Sequence, residues 1–294
     1  MISLFQDLGK WYKGNLHTHT TRSDGRRTPE ECMSLYQAQG YDFLALTDHW
    51  KPSQGGRHEQ MLLLAGAEWD IGPVGSTGCV HLVGIGMKAA PALERGPGLT
   101  AQGIVDAIRA AGGEAILAHP AWSLTQPELA CGLTGLLATE IYNSVSAFPY
   151  TGRPDSSEFV DQCAMRGRRL PCLASDDAHF YTGEQCRSYT MVNAKGNTRE
   201  EILEALRQGN FYASQGPQVY AVRYDRQYVE IECSPCAIIG FMSSSPWAGD
   251  RVVQNSAGGR YEIKSADRYI RIHLIDKEGR QAWVSPFAIG GRQA

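Results

Sequence analysis

The sequence predicts an α/β fold, a distorted (β/α)7 TIM-like barrel followed by a small all-β domain, on three observations. Short apolar runs alternate with amphipathic segments from Leu16 to about Asn193, the signature of βα units. After Gly216-Pro217 the texture changes to apolar and polar residues in alternation. Nine residues that bind metals well recur in short clusters, most of them at the downstream ends of the apolar runs, where a parallel barrel places its chemistry.

Taken in order, the first strand is the segment around Leu16, where His17 and His19 at i and i+2 share one face. Thr28-Pro29-Glu30-Glu31 opens a helix, with Thr as cap and Pro at the first helical position. Apolar runs follow at 43–46, 61–64 and 81–85. Leu99-Thr100 then opens a helical stretch over 104–111 that stops at Gly112-Gly113. Runs at 115–118, 136–141 and 170–174 bring the count to about seven strands, and Thr198-Arg199-Glu200-Glu201 is a capping box for a helix over 202–207 that Gly209 ends. No Gly-rich dinucleotide fingerprint follows the first strand, which argues against a doubly wound sheet. Alternation in 228–233 and 269–274, with a hairpin turn at Asp276-Lys277-Glu278-Gly279, predicts a sandwich-like β domain over 216–294 behind a catalytic domain over 1–215.

Composition narrows the function classes. With 294 residues and 43% hydrophobic content the chain can bury a large core. A formal charge of -3 without Lys or Arg runs gives no electrostatic footprint for nucleic acid or anionic membrane, so the expected partner is a small molecule. The N-terminus lacks a basic region followed by a sustained apolar one, and no stretch reaches the roughly 18 apolar residues of a membrane span, so a cytoplasmic protein is expected. Eight irregularly spaced cysteines are read as reduced, and Cys233-Ser234-Pro235-Cys236 lacks the second pair of a zinc finger.

The nine candidate ligands are His17, His19, Asp24, His49, Glu68, His81, His119, Asp177 and His179. Six imidazoles and three carboxylates are about what three ions need at three protein ligands each, with positions left for water. The mixture suits Zn, Mn or Fe, and no cysteine joins the set. Asp48 and Asp176 adjoin ligands and are expected to orient an imidazole or a carboxylate, and to assist proton transfer. Arg22 and Arg187, close to ligands in sequence, are candidates for gripping a phosphate. His58 and His273 stand outside the pattern.

His17-Thr18-His19, Ser23-Asp24-Gly25, Thr47-Asp48-His49, Glu68, His119-Pro120 and Asp177-Ala178-His179 together resemble the PHP (polymerase and histidinol phosphatase) superfamily, over roughly residues 14 to 190. With the β domain included, the layout is similar to the carbaryl hydrolase-like branch. The resemblance implies the distorted barrel and a trinuclear site. It implies that His17, His19, Glu68 and Asp177 hold one metal, that Glu68 bridges to a second held by His81 and His119, and that Asp24, His49 and His179 hold a third. Some members carry His at the Asp24 position.

Two or three divalent ions imply hydrolysis, because a bound ion lowers the pKa of its water from about 15.7 towards about 7 and supplies hydroxide at neutral pH. The expected activity is that of a metal-dependent phosphoesterase acting on a small phosphate ester. A carboxylic or carbamate ester is the alternative, with Trp50, Trp69 and Trp122 as an apolar wall. A non-catalytic metal-binding accessory domain is the third reading, disfavoured by the complete ligand set and the lack of a basic groove.

Overall fold

The structure, a computed structural model, describes residues 1–72 and 78–289. Its first half runs β1 (Ile2–Ser3), β2 (Lys10–Asn15), α1 (Pro29–Ala38), β3 (Phe43–Leu46), β4 (Gly56–His58), β5 (Met61–Ile71), β6 (Val80–Ile85), α2 (Ala101–Ala110), β7 (Glu114–Leu117), α3 (Pro120–Ser123), α4 (Pro127–Gly132) and β8 (Leu136–Asn143). The second half runs α5 (Ser157–Met165), β9 (Cys172–Ser175), β10 (Tyr189–Ala194), α6 (Arg199–Arg207), β11 (Phe211–Ser214), β12 (Val219–Tyr224), β13 (Tyr228–Ser243), β14 (Val252–Glu262), β15 (Tyr269–Ile275) and β16 (Gln281–Ala288).

Each of the seven apolar runs lies in a strand or abuts one, and together they map to β2, β3, β5, β6, β7, β8 and β9. Thr28 caps α1 through a reciprocal box with Glu31, and Thr100 and Thr198 accept backbone N–H groups at the starts of α2 and α6. Gly209, at φ 70°, follows α6 in the left-handed conformation.

The hydrogen-bonded order is β1-β12-β13-β15-β16-β11-β10-β2-β3-β5-β6-β7-β8-β9, with β14 added to β13 and β4 to β5. Here the expected closed barrel is corrected: the sheet does not close. No ladder among the described residues joins β9 back to β2, and only an isolated bridge, Thr18 with Ala178, spans that gap. The expected parallel succession is also interrupted. β2, β3 and β5 are parallel, as are β7, β8 and β9, but β6 runs antiparallel to both its neighbours. Only eight residues separate Ile71 from Val80, fewer than the dozen or so a parallel crossover needs.

Two apolar clusters flank the sheet. Ile104, Val105 and Ile108 of α2 pack with Trp69, Leu82, Leu117 and, from α5, Val160. Ile202, Leu203 and Leu206 of α6 pack with Leu16, Phe43, Leu64 and Ile116. The strands after residue 216 continue the same sheet, since β16 pairs with β11, and they enclose a third cluster around Ile231, Phe241, Ile272 and Val284. Ser285 accepts the N–H of Cys172 in β9 at 2.8 Å, and Arg271 of β15 donates to both carboxylate oxygens of Asp161 in α5 at 2.9 and 2.7 Å. These contacts brace the last strand of the parallel part from outside. Among the described residues no helix is long and apolar enough to cross a membrane.

Candidate metal centre

Backbone bonds gather the strand exits before any side chain is considered. Asp177 donates its N–H to the His17 carbonyl at 2.9 Å, His19 donates to Ala178 at 3.0 Å, and Thr47 donates to Thr18 at 2.9 Å. Asn15 ties the same corner, with its amide donating to the His17 carbonyl and its oxygen accepting from Asp176. The sheet that stays open along its length is therefore pinned at the end where the ligands emerge. The antiparallel β6 explains His81, which stands at the start of its run: the start of an antiparallel strand lies beside the downstream end of its neighbour, and His81 pairs with Asp70. Gly25 lets the loop after His19 fold back, because a Cβ there would lie 2.4 Å from the His19 carbonyl group. That fold brings Asp24 within 3.5 to 3.7 Å of His179, His19 and His49. Strained backbone accompanies the site, with φ of 25° at His119, 51° at Asp177 and 57° at Trp50.

Side chains converge into three overlapping donor sets: His17, His19, Glu68 and Asp177; His19, Asp24, His49 and His179; and His49, Glu68 and His81. Glu68 is the hub. Its Oε2 lies 3.3, 3.2 and 3.1 Å from His17, His19 and His49, and its Oε1 lies 2.8 and 3.4 Å from His81 and His119. His119 is also 3.7 Å from Asp177, so all nine candidates meet at one place.

The donors fit a divalent metal. Ligands at about 2.0 to 2.1 Å from one ion in a tetrahedron stand roughly 3.3 Å apart. The contacts that His17 Nε2 and His19 Nε2 make with each other, with Glu68 and with Asp177 span 3.0 to 3.3 Å. His49 Nδ1, His81 Nε2 and Asp177 Oδ1 are buried without a hydrogen-bond partner, lone pairs that a cation would satisfy. Electrostatics agree. Burial disfavours charge on His17, yet Asp177 and Glu68 hold its pKa well above the ordinary value. Against the same burial, Glu68 raises His81 to about 10 and Asp177 raises His179 to about 9. Glu68 and Asp177 are themselves held well below the carboxylate range: desolvation raises each, and the surrounding imidazoles, His17 foremost, together outweigh it. Positive charge is favoured at this point of the fold.

The other sequence candidates lie differently. Asp48 does not touch an imidazole: it accepts from the N–H and hydroxyl of both Thr20 and Ser23 and so fixes the loop that carries Asp24. Asp176 accepts from Tyr36, Ser144 and the N–H groups of Cys186, Arg187 and Ser188; burial raises its pKa to about 6. Each carboxylate, next to a candidate ligand in sequence, thus fixes backbone. The Arg22 guanidinium bonds the Pro52 carbonyl, and Arg187 lines a cavity of about 230 Å3 with Tyr142 and Tyr150. Of the three tryptophans, Trp69 is core, Trp122 packs edge-on against His81 and His119, and Trp50 donates its indole N–H to Asp70 at 2.6 Å. A cavity of about 630 Å3 opens over Asp24, His49 and His81 and is also lined by Asp70 and Arg95.

Glu140 was not among the expected residues. Fully buried in β8, it accepts from His17 Nδ1 at 2.8 Å and from the His119 N–H at 2.8 Å, which turns the His17 Nε2 lone pair toward the centre. Its signal was present, since a carboxylate inside an apolar strand demands a partner. Glu140→Gln is expected to weaken metal binding by about 10- to 100-fold, measured by competition with a chromogenic chelator, with the fold retained. Unchanged affinity would remove Glu140 from the centre.

No protein-family model and no curated protein matches the chain. Solved structures do. A two-domain protein from Bacteroides vulgatus containing a predicted PHP-like metal-dependent phosphoesterase aligns over 96% of this chain and 96% of its own, with a TM-score of 0.55 and 16% identity. This chain shares the fold of that two-domain protein. That likeness takes in the strands after residue 216 as well as the parallel part. An amidohydrolase from Chromobacterium violaceum, with bound sulfate and no metal, aligns over 58% of this chain and 89% of its own, with a TM-score of 0.43 and 17% identity.

Proposed function

We propose that this chain is a PHP-type metal-dependent phosphoesterase that hydrolyses a small phosphate ester. The observation that carries the reading is the set of three overlapping donor groups sharing Glu68, His19 and His49, on a fold shared with a protein described as containing a predicted phosphoesterase of this type. In this reading His17, His19, Glu68 and Asp177 hold one ion, Glu68, His81 and His119 a second, and Asp24, His49 and His179 a third. Zinc, manganese or iron suits these donors. Such ions supply an activated water and neutralise charge on the phosphoryl group.

The protein's own residues do the positioning. Glu140 fixes the His17 ring, Asp48 fixes the loop of Asp24, and Trp122 packs against the rings of His81 and His119. β15 and β16 act as the brace behind β9 and α5. The similarity of the motif pattern to the carbaryl hydrolase-like branch keeps an acyl substrate as the second reading, with Trp50 and Trp122 beside the centre to hold it.

Hydrolysis of chromogenic phosphate mono- and diesters, set against aryl acetates and carbamates, separates the two. With protein loaded by zinc or by manganese, phosphate turnover is expected, falling on the order of 100-fold or more in His119→Ala. Acyl turnover alone would overturn the proposal in favour of the second reading.

A further inference from the structure

On the wall of the 630 Å3 cavity, three side chains from separate segments lock together. Trp50, the residue after His49, donates its indole N–H to Asp70 Oδ1 at 2.6 Å, and Arg95 donates from Nη2 to the same oxygen at 2.8 Å. The Arg95 guanidinium carbon lies 4.7 Å from the Trp50 ring centroid. Arg95 is thus held along one edge by a carboxylate and across one face by an indole, and its remaining N–H donors have no further partner among the described residues. It is the one Arg or Lys among the described residues that line this cavity.

Stability does not account for this arrangement. The Arg95 side chain is 64% exposed, and an ion pair so open contributes little to folding. Trp50 meanwhile adopts φ of 57°, a conformation costly for a bulky residue, held by the bond from its N–H to the Glu68 carbonyl. The distance to the centre is set by β5. Glu68 and Asp70 are two residues apart on one face of that strand, about 6.6 Å. The carboxylate that fixes the guanidinium therefore springs from β5 one strand repeat beyond the hub of the donor sets.

We propose that Arg95, positioned by Asp70 and Trp50, binds a second anionic group of the substrate, so that the preferred substrate is a small phosphate ester bearing a further carboxylate or phosphate. The inference rests on the phosphoesterase reading. A planar fork with free donors suits either oxyanion, and restraint by Asp70 and Trp50 reduces the entropy lost on binding. Arg22 and Arg187, nearer the ligands in sequence, do not line this cavity.

Non-hydrolysable phosphonates test this without turnover. Calorimetry on zinc- or manganese-loaded protein compares 3-phosphonopropionate with propylphosphonate, which lacks the carboxylate. Wild type is expected to prefer 3-phosphonopropionate by about tenfold or more, Arg95→Ala to bring the ratio near one, and Arg95→Lys to retain part of it. Metal content, read in parallel, confirms that the centre of each variant is intact. A preference that survives in Arg95→Ala, or is absent from wild type while both phosphonates bind, overturns the Arg95 assignment and leaves the phosphoesterase reading standing. If neither phosphonate binds the loaded protein, both fall.

Discussion

Glu68→Gln is expected to prevent normal metal loading and to reduce ester turnover on the order of a thousandfold or more. One carboxylate lies within 3.4 Å of five imidazoles, through Oε2 to His17, His19 and His49 and through Oε1 to His81 and His119. Among the described residues no other carboxylate belongs to two donor sets. The amide keeps the shape, but one terminal atom becomes a donor facing ring nitrogens whose lone pairs are needed for metal. It also removes the charge that raises His17 and His81, so the substitution disturbs the metal-free site too. Glu68→Asp provides the contrast. It restores the charge on a side chain shorter by one methylene, which would reach fewer of the five imidazoles, and an intermediate metal content is expected. Elemental analysis and turnover on the same preparations decide the matter: a Glu68→Gln protein with full metal content and near wild-type turnover would break the assignment of Glu68 as the hub.

The centre was far more legible in the sequence than the sheet that carries it. His and Asp at the ends of apolar runs are chemically conspicuous, and strand alternation alone puts His17 and His19 on one face. Closure of the sheet was not legible, because it depends on whether β9 and β2 share a ladder, and no local pattern encodes that. The reversal of β6 left a trace, since the eight residues between Ile71 and Val80 are too few for a parallel crossover, and His81 at the wrong end of its run told the same story. Glu140 was readable by the demand a buried carboxylate makes on its surroundings. Arg95 was not, because its partners Trp50 and Asp70 come from distant segments and no spacing links them. The backbone partners of Asp48 and Asp176 were not legible, because adjacency to a ligand in sequence does not say which way a carboxylate turns; both accept backbone N–H groups.

The thermal gain from metal is expected to grow with pH between about 6.5 and 9, by on the order of 3 kcal/mol, or roughly 5–10 °C in Tm. In the metal-free protein the clustered carboxylates are balanced by protons on imidazoles. Against burial, Glu68 holds His81 at about 10 and Asp177 holds His179 at about 9. Folded pKa values above the unfolded value near 6.5 mean that protonation stabilises the fold. That contribution is complete below about pH 6.5 and drains away as pH rises through 9 to 10. Depressed Glu68 and Asp177 act in the other direction, contributing above the ordinary carboxylate range and losing their contribution only under strong acid. The metal-free form is therefore expected to lose stability as pH rises from 6.5. Metal binding requires the imidazoles neutral, so the loaded form has no such protons to lose and its affinity for metal rises over the same range. Differential scanning calorimetry of chelator-treated and metal-loaded protein at pH 6.5 and pH 9 isolates the effect, since losses common to both forms cancel in the difference. A gap that is constant or shrinks with pH would mean that the protons of His81 and His179 do not stand in for metal ions, and that the charge balance of the centre is set elsewhere.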